Sequence, residues 1–153
     1  MTDSIADLRR ILRDCRTIAV VGLSPEWHRP SHFAAKYLQQ HGYRIVPVNP
    51  RCTEILGERC YPDLLAVPLR VDMVDVFRRS EDVLPIAMQA IEIKARFLWQ
   101  QLGVVNLEAH QRVVEAGLDS VTDRCVKIEH ARIFGGLHWA GVNTRMISAT
   151  RPH

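Results

Sequence analysis

Two spacings of apolar residues alternate along the chain, and they predict strands and helices in turn. Residues 4–15 place their apolar side chains on one helical face, with Asp3 or Ser4 as the N-cap. Residues 17–23 form a continuous apolar, β-branched run, which is typical of a strand buried on both faces. The same alternation predicts further strands at 43–48, 71–77, 96–100 and 118–122, and helices at 31–41, from about 82, at 106–116 and at 126–134.

Strands that alternate with helices in this way indicate βαβ units and a parallel sheet. We therefore predict one α/β domain of Rossmann-like architecture, with a central parallel sheet of about five strands and helices on both faces. The first strand is expected at the centre of the sheet. The predicted divisions are an N-terminal helix packed on the domain (1–16), the Rossmann-like domain itself (17–134) and a C-terminal extension (135–153).

The net charge and the cysteine content limit the kinds of ligand, location and site that we expect. A net charge of +3 is too small to argue for nucleic acid, although it suits a small phosphorylated ligand. The sequence has no apolar run of membrane-spanning length and begins without a signal-peptide core, so we expect a cytoplasmic protein with no membrane partner. The cysteines form no C-x-x-C pair and the histidines are scattered along the chain, so we expect free thiols and no metal site.

The turn after the first strand begins like a dinucleotide-binding loop but contains only one of the three expected glycines. Gly22 and Leu23 lead into a polar segment that contains Ser24, Arg29 and Ser31. The first N–H groups of a helix attract anions, and an arginine can add a bidentate contact to phosphate. The alternative is that Arg29 is solvated and Ser31 is only an N-cap.

The second strand runs into Asn49, Pro50 and Arg51, without the carboxylate that holds the ribose in NAD-binding folds. An arginine at this place favours a phosphorylated ribose, as in NADP or coenzyme A, although an ordinary surface arginine fits the spacing equally well. The third strand ends in Phe77 and Arg78. The ring could stack on an adenine and the guanidinium could screen a pyrophosphate. The alternative is a core phenylalanine followed by a solvated arginine.

The last two strand ends carry further candidates. Gln100 and Gly103 follow the fourth strand, where a glycine allows a ligand to approach the backbone, although a simple turn explains it too. Cys125 follows the fifth strand at a predicted helix N-terminus, a place that can lower the pKa of a thiol. A buried, inert cysteine is the alternative. The sequence presents no catalytic constellation.

Seven segments in this order, VVGLS, RPS, YRIVPVNP, EILGERCYPDL, VDMVDVFRR, WQQLG and DRCVKIEHAR, resemble one family. They are similar to small stand-alone CoA-binding proteins, whose fold is shared with the CoA-binding domain of the succinyl-CoA ligase alpha subunit. The resemblance covers residues 17–132. It implies that the turn 22–31 meets the CoA phosphates, that 49–51 and the Phe77–Arg78 corner flank the adenosine, and that Gln100 and Gly103 lie near the ligand.

The resemblance favours a protein that binds coenzyme A or an acyl-CoA, without catalysis of its own. Two enzyme-like alternatives stay open, an NADP-linked oxidoreductase and a thiol-redox module in which Cys125 reacts with the CoA thiol. A homodimer and an unidentified partner enzyme are also compatible with the sequence.

Overall fold

The computed structural model describes residues 4–134, and the extension predicted at 135–153 lies outside them. Its helices are α1 (Ile5–Asp14), α2 (Pro30–Gln40), α3 (Val83–Glu92), α4 (Leu107–Glu115) and α5 (Val126–Ile133). Its strands are β1 (Thr17–Val21), β2 (Arg44–Val48), β3 (Glu54–Ile55), β4 (Glu58–Arg59), β5 (Met73–Val76), β6 (Phe97–Gln100) and β7 (Asp119–Val121). Short 3₁₀ turns lie at Leu64–Ala66 and Ser80–Asp82. The predicted α/β alternation is confirmed.

Five of the strands form one parallel sheet in the order β2-β1-β5-β6-β7. The first strand lies inside the sheet, between β2 and β5, as expected, and β5 is the middle strand of the five. The chain reverses its winding once: β2 is added on one side of β1, and the three later strands are added on the other. This reversal leaves a crevice at the carboxyl ends of β1 and β5, where ligands of such sheets usually bind.

Helices cover both faces of the sheet, and the side chains of β1 alternate between the two resulting cores. Ile18 and Val20 pack in a cluster with residues of α1, α2 and α5. Ala19 and Val21 pack in a second cluster with residues of α3 and α4. This period of two, with both faces apolar, is the reason the strand reads as a continuous hydrophobic run in the sequence.

The α1 N-cap is Ser4, whose side-chain oxygen accepts a hydrogen bond of 3.1 Å from the backbone N–H of Asp7. This cap was one of two predicted from the sequence, and it leaves the apolar side of the helix facing the core. No helix within residues 4–134 is both long enough and apolar enough to cross a membrane.

A small hairpin, β3–β4, was not predicted. Leu56 and Gly57 at its tip both have positive φ, as a two-residue turn of type I′ requires. The chain then runs beside the edge strand β2, where the N–H of Tyr61 donates to the carbonyl oxygen of Pro47 at 3.0 Å. Since that carbonyl points away from β1, the missing N–H of Pro47 removes no bond from the β1–β2 ladder.

Candidate ligand-binding cleft at the carboxyl edge of the sheet

Two adjoining cavities open at the carboxyl edge of the sheet, in the crevice that the strand order predicts. The first cavity has a volume of about 620 Å³ and is lined by Gly22, Ser24, Glu26, Arg29, Pro30, Ser31, Asn49, Pro50, Arg51, Phe77 and Arg78. The second cavity has a volume of about 650 Å³ and is lined by Pro30, Phe77, Arg78, Arg79, Asp82, Gln101, Leu102, Val104 and Cys125. Because the two share Pro30, Phe77 and Arg78, they form one bipartite cleft.

Gly22 allows three strand ends to come together at the first cavity. Its φ is +88°, and its N–H donates to the carbonyl oxygen of Val48 at 2.9 Å. A Cβ added here would overlap the carbonyl oxygen of Phe77 and would lie 3.1 Å from the carbonyl carbon. The glycine is therefore required by both its backbone conformation and the close approach of the β5 end.

Serine hydroxyls fix the loop between β1 and α2. The buried Ser31 hydroxyl oxygen accepts from the N–H of Ser24 at 3.0 Å, and the Ser24 hydroxyl oxygen accepts from the N–H of Glu26 at 3.1 Å. The helix begins at Pro30 with Arg29 as its N-cap residue, so the view of Ser31 as the N-cap was wrong. Ser31 instead orders the loop against the first turn of the helix.

Asn49 connects the ends of the first two strands. Its Nδ2 donates to the carbonyl oxygen of the buried Leu23 at 3.0 Å, and its Oδ1 accepts from the N–H of Arg51 at 2.9 Å. Both polar ends of the amide are thus engaged by the protein. Asn49 positions the loop that carries Pro50 and Arg51, and the Leu23 side chain belongs to the core.

Three guanidinium groups and one carboxylate line the first cavity. Arg29 is paired with Glu26, with 3.1 Å between its Nε and Oε2 of the carboxylate, and both side chains are more than half exposed. Arg51 and Arg78 come from the ends of β2 and β5 and are also exposed. The lining therefore has a positive excess suited to an anionic ligand, which would compete with Glu26 for Arg29.

A buried polar pair lies beside the second cavity. Asp75 on β5 is fully buried, and its Oδ1 accepts a hydrogen bond from Nε2 of Gln101. The Oε1 atom of Gln101 accepts from the N–H of Val126, the first residue of α5, at 3.3 Å. Burial, opposed only in part by the bond from Gln101, raises the pKa of Asp75 to about 8. The carboxyl group is therefore mostly protonated at neutral pH.

Cys125 lines the second cavity and is the N-cap residue of α5, so it lies at a helix N-terminus as predicted. Burial raises the pKa of the thiol, although the backbone N–H groups of Lys127 and Ile128 favour the thiolate. Of the two alternatives that the sequence left open, the raised pKa favours the inert thiol, because desolvation outweighs those N–H groups. The thiol at this wall is thus mainly neutral.

Gln100 and Gly103 are not among the residues that line the two cavities. Gln100 is fully buried, and its side chain bonds both the N–H and the carbonyl oxygen of Asn106, at 2.7 and 3.3 Å. Gly103 has a φ of +84° and donates its N–H to the carboxylate of Asp123 at 2.7 Å. Both residues shape the loop after β6, and their contact with a ligand stays a prediction.

Sequence reasoning missed Asp75, Gln101 and Glu26. A partial signal for Asp75 was available, since Asp72 and Asp75 are the two charged residues inside the otherwise apolar run 71–77. Gln101 stands next to the predicted Gln100, and only the end of strand β6 decides which of the two amides faces the cleft. The pairing of Glu26 with Arg29 depends on a loop conformation that no spacing rule predicts.

Comparisons with known proteins agree with this architecture. Residues 16–131 match the model of the CoA binding domain family. The uncharacterized protein YneT of Bacillus subtilis (strain 168) is 41% identical over 128 residues, which span 84% of this chain and 95% of that protein. The hypothetical protein from Pyrococcus horikoshii OT3 has a TM-score of 0.85 and 39% identity, with 87% of this chain and 94% of that chain covered.

The chain is also similar to part of some larger enzymes, the ADP-forming acetate--CoA ligases. Acetate--CoA ligase [ADP-forming] II of Archaeoglobus fulgidus is 38% identical over 72 residues, which are 46% of this chain but only 10% of the ligase. The likeness is thus confined to a small part of the ligase. Together with the match over residues 16–131, these findings show that the chain belongs to the family of CoA-binding domains.

Proposed function

We propose that this protein binds coenzyme A or an acyl-CoA in the bipartite cleft, with no reaction of its own. The observation that carries the proposal is the junction of two unlike cavities at Arg78. A ligand with a phosphorylated nucleotide at one end and a long, weakly polar arm at the other matches this division. Coenzyme A has that form.

The first cavity suits the phosphates of the nucleotide. Arg29, Arg51 and Arg78 line it from the loops that follow three different strands, and Ser24 and Ser31 line the same space. Charge-assisted bonds from guanidinium groups to phosphate are among the strongest polar contacts that proteins make. We assign the pyrophosphate to Arg29 and Arg78 and the 3′-phosphate to Arg51.

The second cavity suits the pantetheine arm. Phe77, Leu102 and Val104 give it apolar walls, and Gln101 and Cys125 add polar groups. The exposed Arg79–Asp82 ion pair and the shared Arg78 supply its charged side chains. A cavity with mostly apolar walls and a few placed polar groups is typical of small-molecule sites. An acyl group on the ligand sulfur would extend from this arm, so CoA and acetyl-CoA are both expected to bind.

The similarity to acetate--CoA ligases supports the choice of ligand, since their name makes CoA their substrate.

We also propose a cytosolic location. Cys15, Cys52, Cys60 and Cys125 are all free thiols in the described structure, which suits a reducing compartment.

A ligand panel monitored by thermal unfolding tests the proposal. A ligand that binds only the folded state stabilises it by roughly 2.7 kcal/mol at a hundredfold excess over Kd, which raises the melting temperature by several degrees. We expect clear shifts with CoA and acetyl-CoA, and a smaller one with dephospho-CoA, which lacks the 3′-phosphate. NAD should give almost no shift, because no carboxylate follows β2 to hold its ribose.

NADP is the informative control, since it carries its ribose phosphate at the 2′ position and a nicotinamide in place of pantetheine. A larger shift with NADP than with CoA would contradict the proposal and favour an oxidoreductase. Equal shifts with CoA and dephospho-CoA would leave the site in place but would remove the 3′-phosphate from Arg51.

A further inference from the structure

The polar groups of Gln101 are only partly used by the protein. Nε2 has two N–H groups, of which one points to Oδ1 of Asp75, and Oε1 has two lone pairs, of which one accepts from Val126. Gln101 also lines the second cavity while remaining almost fully buried. One donor and one acceptor of the same amide therefore remain for a group inside the cavity.

The orientation of this amide is fixed from both sides. The N–H of Val126 can only donate, so it requires the oxygen of Gln101 on the α5 side. The Nε2 atom must then face Asp75, whose fully buried carboxyl group accepts from it. Asp75 lies on β5 between Val20 of β1 and Trp99 of β6, so it has no freedom to move away.

Asp75 has a second, unsatisfied oxygen. Among the described residues, Oδ2 is the buried side-chain atom without a hydrogen-bond partner. A buried polar atom without a partner lowers the stability of the fold. Because this unpaired oxygen lies next to an open cavity, the Asp75–Gln101 pair indicates a role in ligand binding and not in the packing of the core.

Resting on the proposed function, we propose that Gln101 is the residue that recognises an amide of the ligand arm, with Asp75 as the residue that positions it. Pantetheine contains two secondary amides, each with one N–H donor and one carbonyl acceptor. Gln101 offers the complementary acceptor and donor at the wall of the second cavity. The pair thereby selects an amide-bearing arm over an apolar one.

The test compares two ligands on each variant. One is CoA, and the other is adenosine 3′-phosphate 5′-diphosphate, which is CoA without its pantetheine arm. Calorimetry gives the dissociation constants of both ligands. The ratio of the Kd of adenosine 3′-phosphate 5′-diphosphate to the Kd of CoA reports the contribution of the arm alone. Gln101→Met keeps the length of the side chain but removes both polar groups, and we expect it to reduce the ratio about tenfold. Changes in folding or in the phosphate site affect both ligands and cancel in the ratio.

Asp75 is tested by loss and rescue. Asp75→Ala frees the Gln101 amide to rotate and is expected to reduce the ratio, whereas Asp75→Asn keeps an acceptor for Nε2 and should restore it. If Gln101→Met fails to fold, the double variant Asp75→Ala/Gln101→Met serves instead, because it leaves neither partner of the pair unpaired.

An unchanged ratio in the Gln101 variants, or equal affinity of the wild type for the two ligands, would overturn this inference and leave CoA binding intact. Failure of the wild type to bind CoA at all would instead overturn the proposed function.

Discussion

The two cavities of the cleft are built in different ways. Around the first, exposed arginines stand on loops that are fixed by short local contacts, such as the Ser24–Ser31 and Asn49–Arg51 hydrogen bonds. Beside the second lies a buried polar pair, Asp75 and Gln101, that is held between two strands and a helix. Charge at the first cavity is solvated, whereas a charge on Asp75 beside the second would lie in the core.

This difference separates binding from stability. Exposed charges cost little to keep, so changes at the first cavity should affect the ligand more than the fold. A buried carboxyl group resists ionisation, so changes at the second should affect the fold and its dependence on pH. The predictions below test this division.

The largest effect is expected for Asp75→Asn at alkaline pH. The pKa of Asp75 rises from 3.8 in a free side chain to about 8 in the folded protein, so the folded state retains a proton that the unfolded state releases. Its contribution to stability is complete below pH 3.8 and is lost progressively up to about pH 8. Asparagine imitates the neutral acid at every pH and avoids this loss.

The free energy of unfolding of Asp75→Asn, minus that of the wild type, should therefore increase with pH over this range, by up to roughly 1.4 kcal/mol per pH unit. Urea unfolding of both proteins at several pH values measures this difference. A difference between the two proteins that does not change with pH would contradict an uncharged Asp75 in the folded state.

Gly22 lines the first cavity, but its substitution is expected to destabilise the fold, because its backbone conformation matters and not its charge. Gly22→Ala meets the carbonyl group of Phe77 and a positive φ, and it should cost about 3 kcal/mol or more. Gly103→Ala is the matched control, since its φ is also positive but no atom lies within 4 Å of the new Cβ. It should cost about 1 to 2 kcal/mol.

Chemical denaturation of these two alanine variants separates close approach from backbone conformation. Equal losses at Gly22 and Gly103 would mean that the strand ends do not meet at Gly22 as described.

The smallest effects on stability, but opposite effects on binding, are expected at Arg29 and Glu26. Arg29→Ala should weaken CoA binding by about 1.5 to 3 kcal/mol if the guanidinium meets phosphate. Glu26→Gln should strengthen it by up to about 1 kcal/mol, because it releases Arg29 from an exposed ion pair. Calorimetric titration with CoA measures both. Weaker binding in the Glu26→Gln protein would show that Glu26 supports the site instead of competing for Arg29.

Most of the fold could be predicted from the sequence because its signals are local. The apolar run of β1, the Ser4 cap and the alternation of strands with helices depend on neighbours along the chain. The same is true of the candidate site: Gly22, Arg29, Arg51 and Arg78 each follow a strand, and parallel strands bring their carboxyl ends to one edge. The sequence by itself thus determined the architecture and the edge at which a ligand would bind.

The tertiary structure decided what spacing cannot express. Strand order placed β5 at the centre of the sheet. The contacts of Gln101 with Asp75 and with the N–H of Val126 set it, and not Gln100, at the wall of the second cavity. Burial decided between the two alternatives for Cys125 by raising the pKa of its thiol, and it kept Asp75 mostly uncharged at neutral pH. These outcomes depend on how much water remains around a group, and that is set by residues far apart in the chain, which come together only when the chain folds.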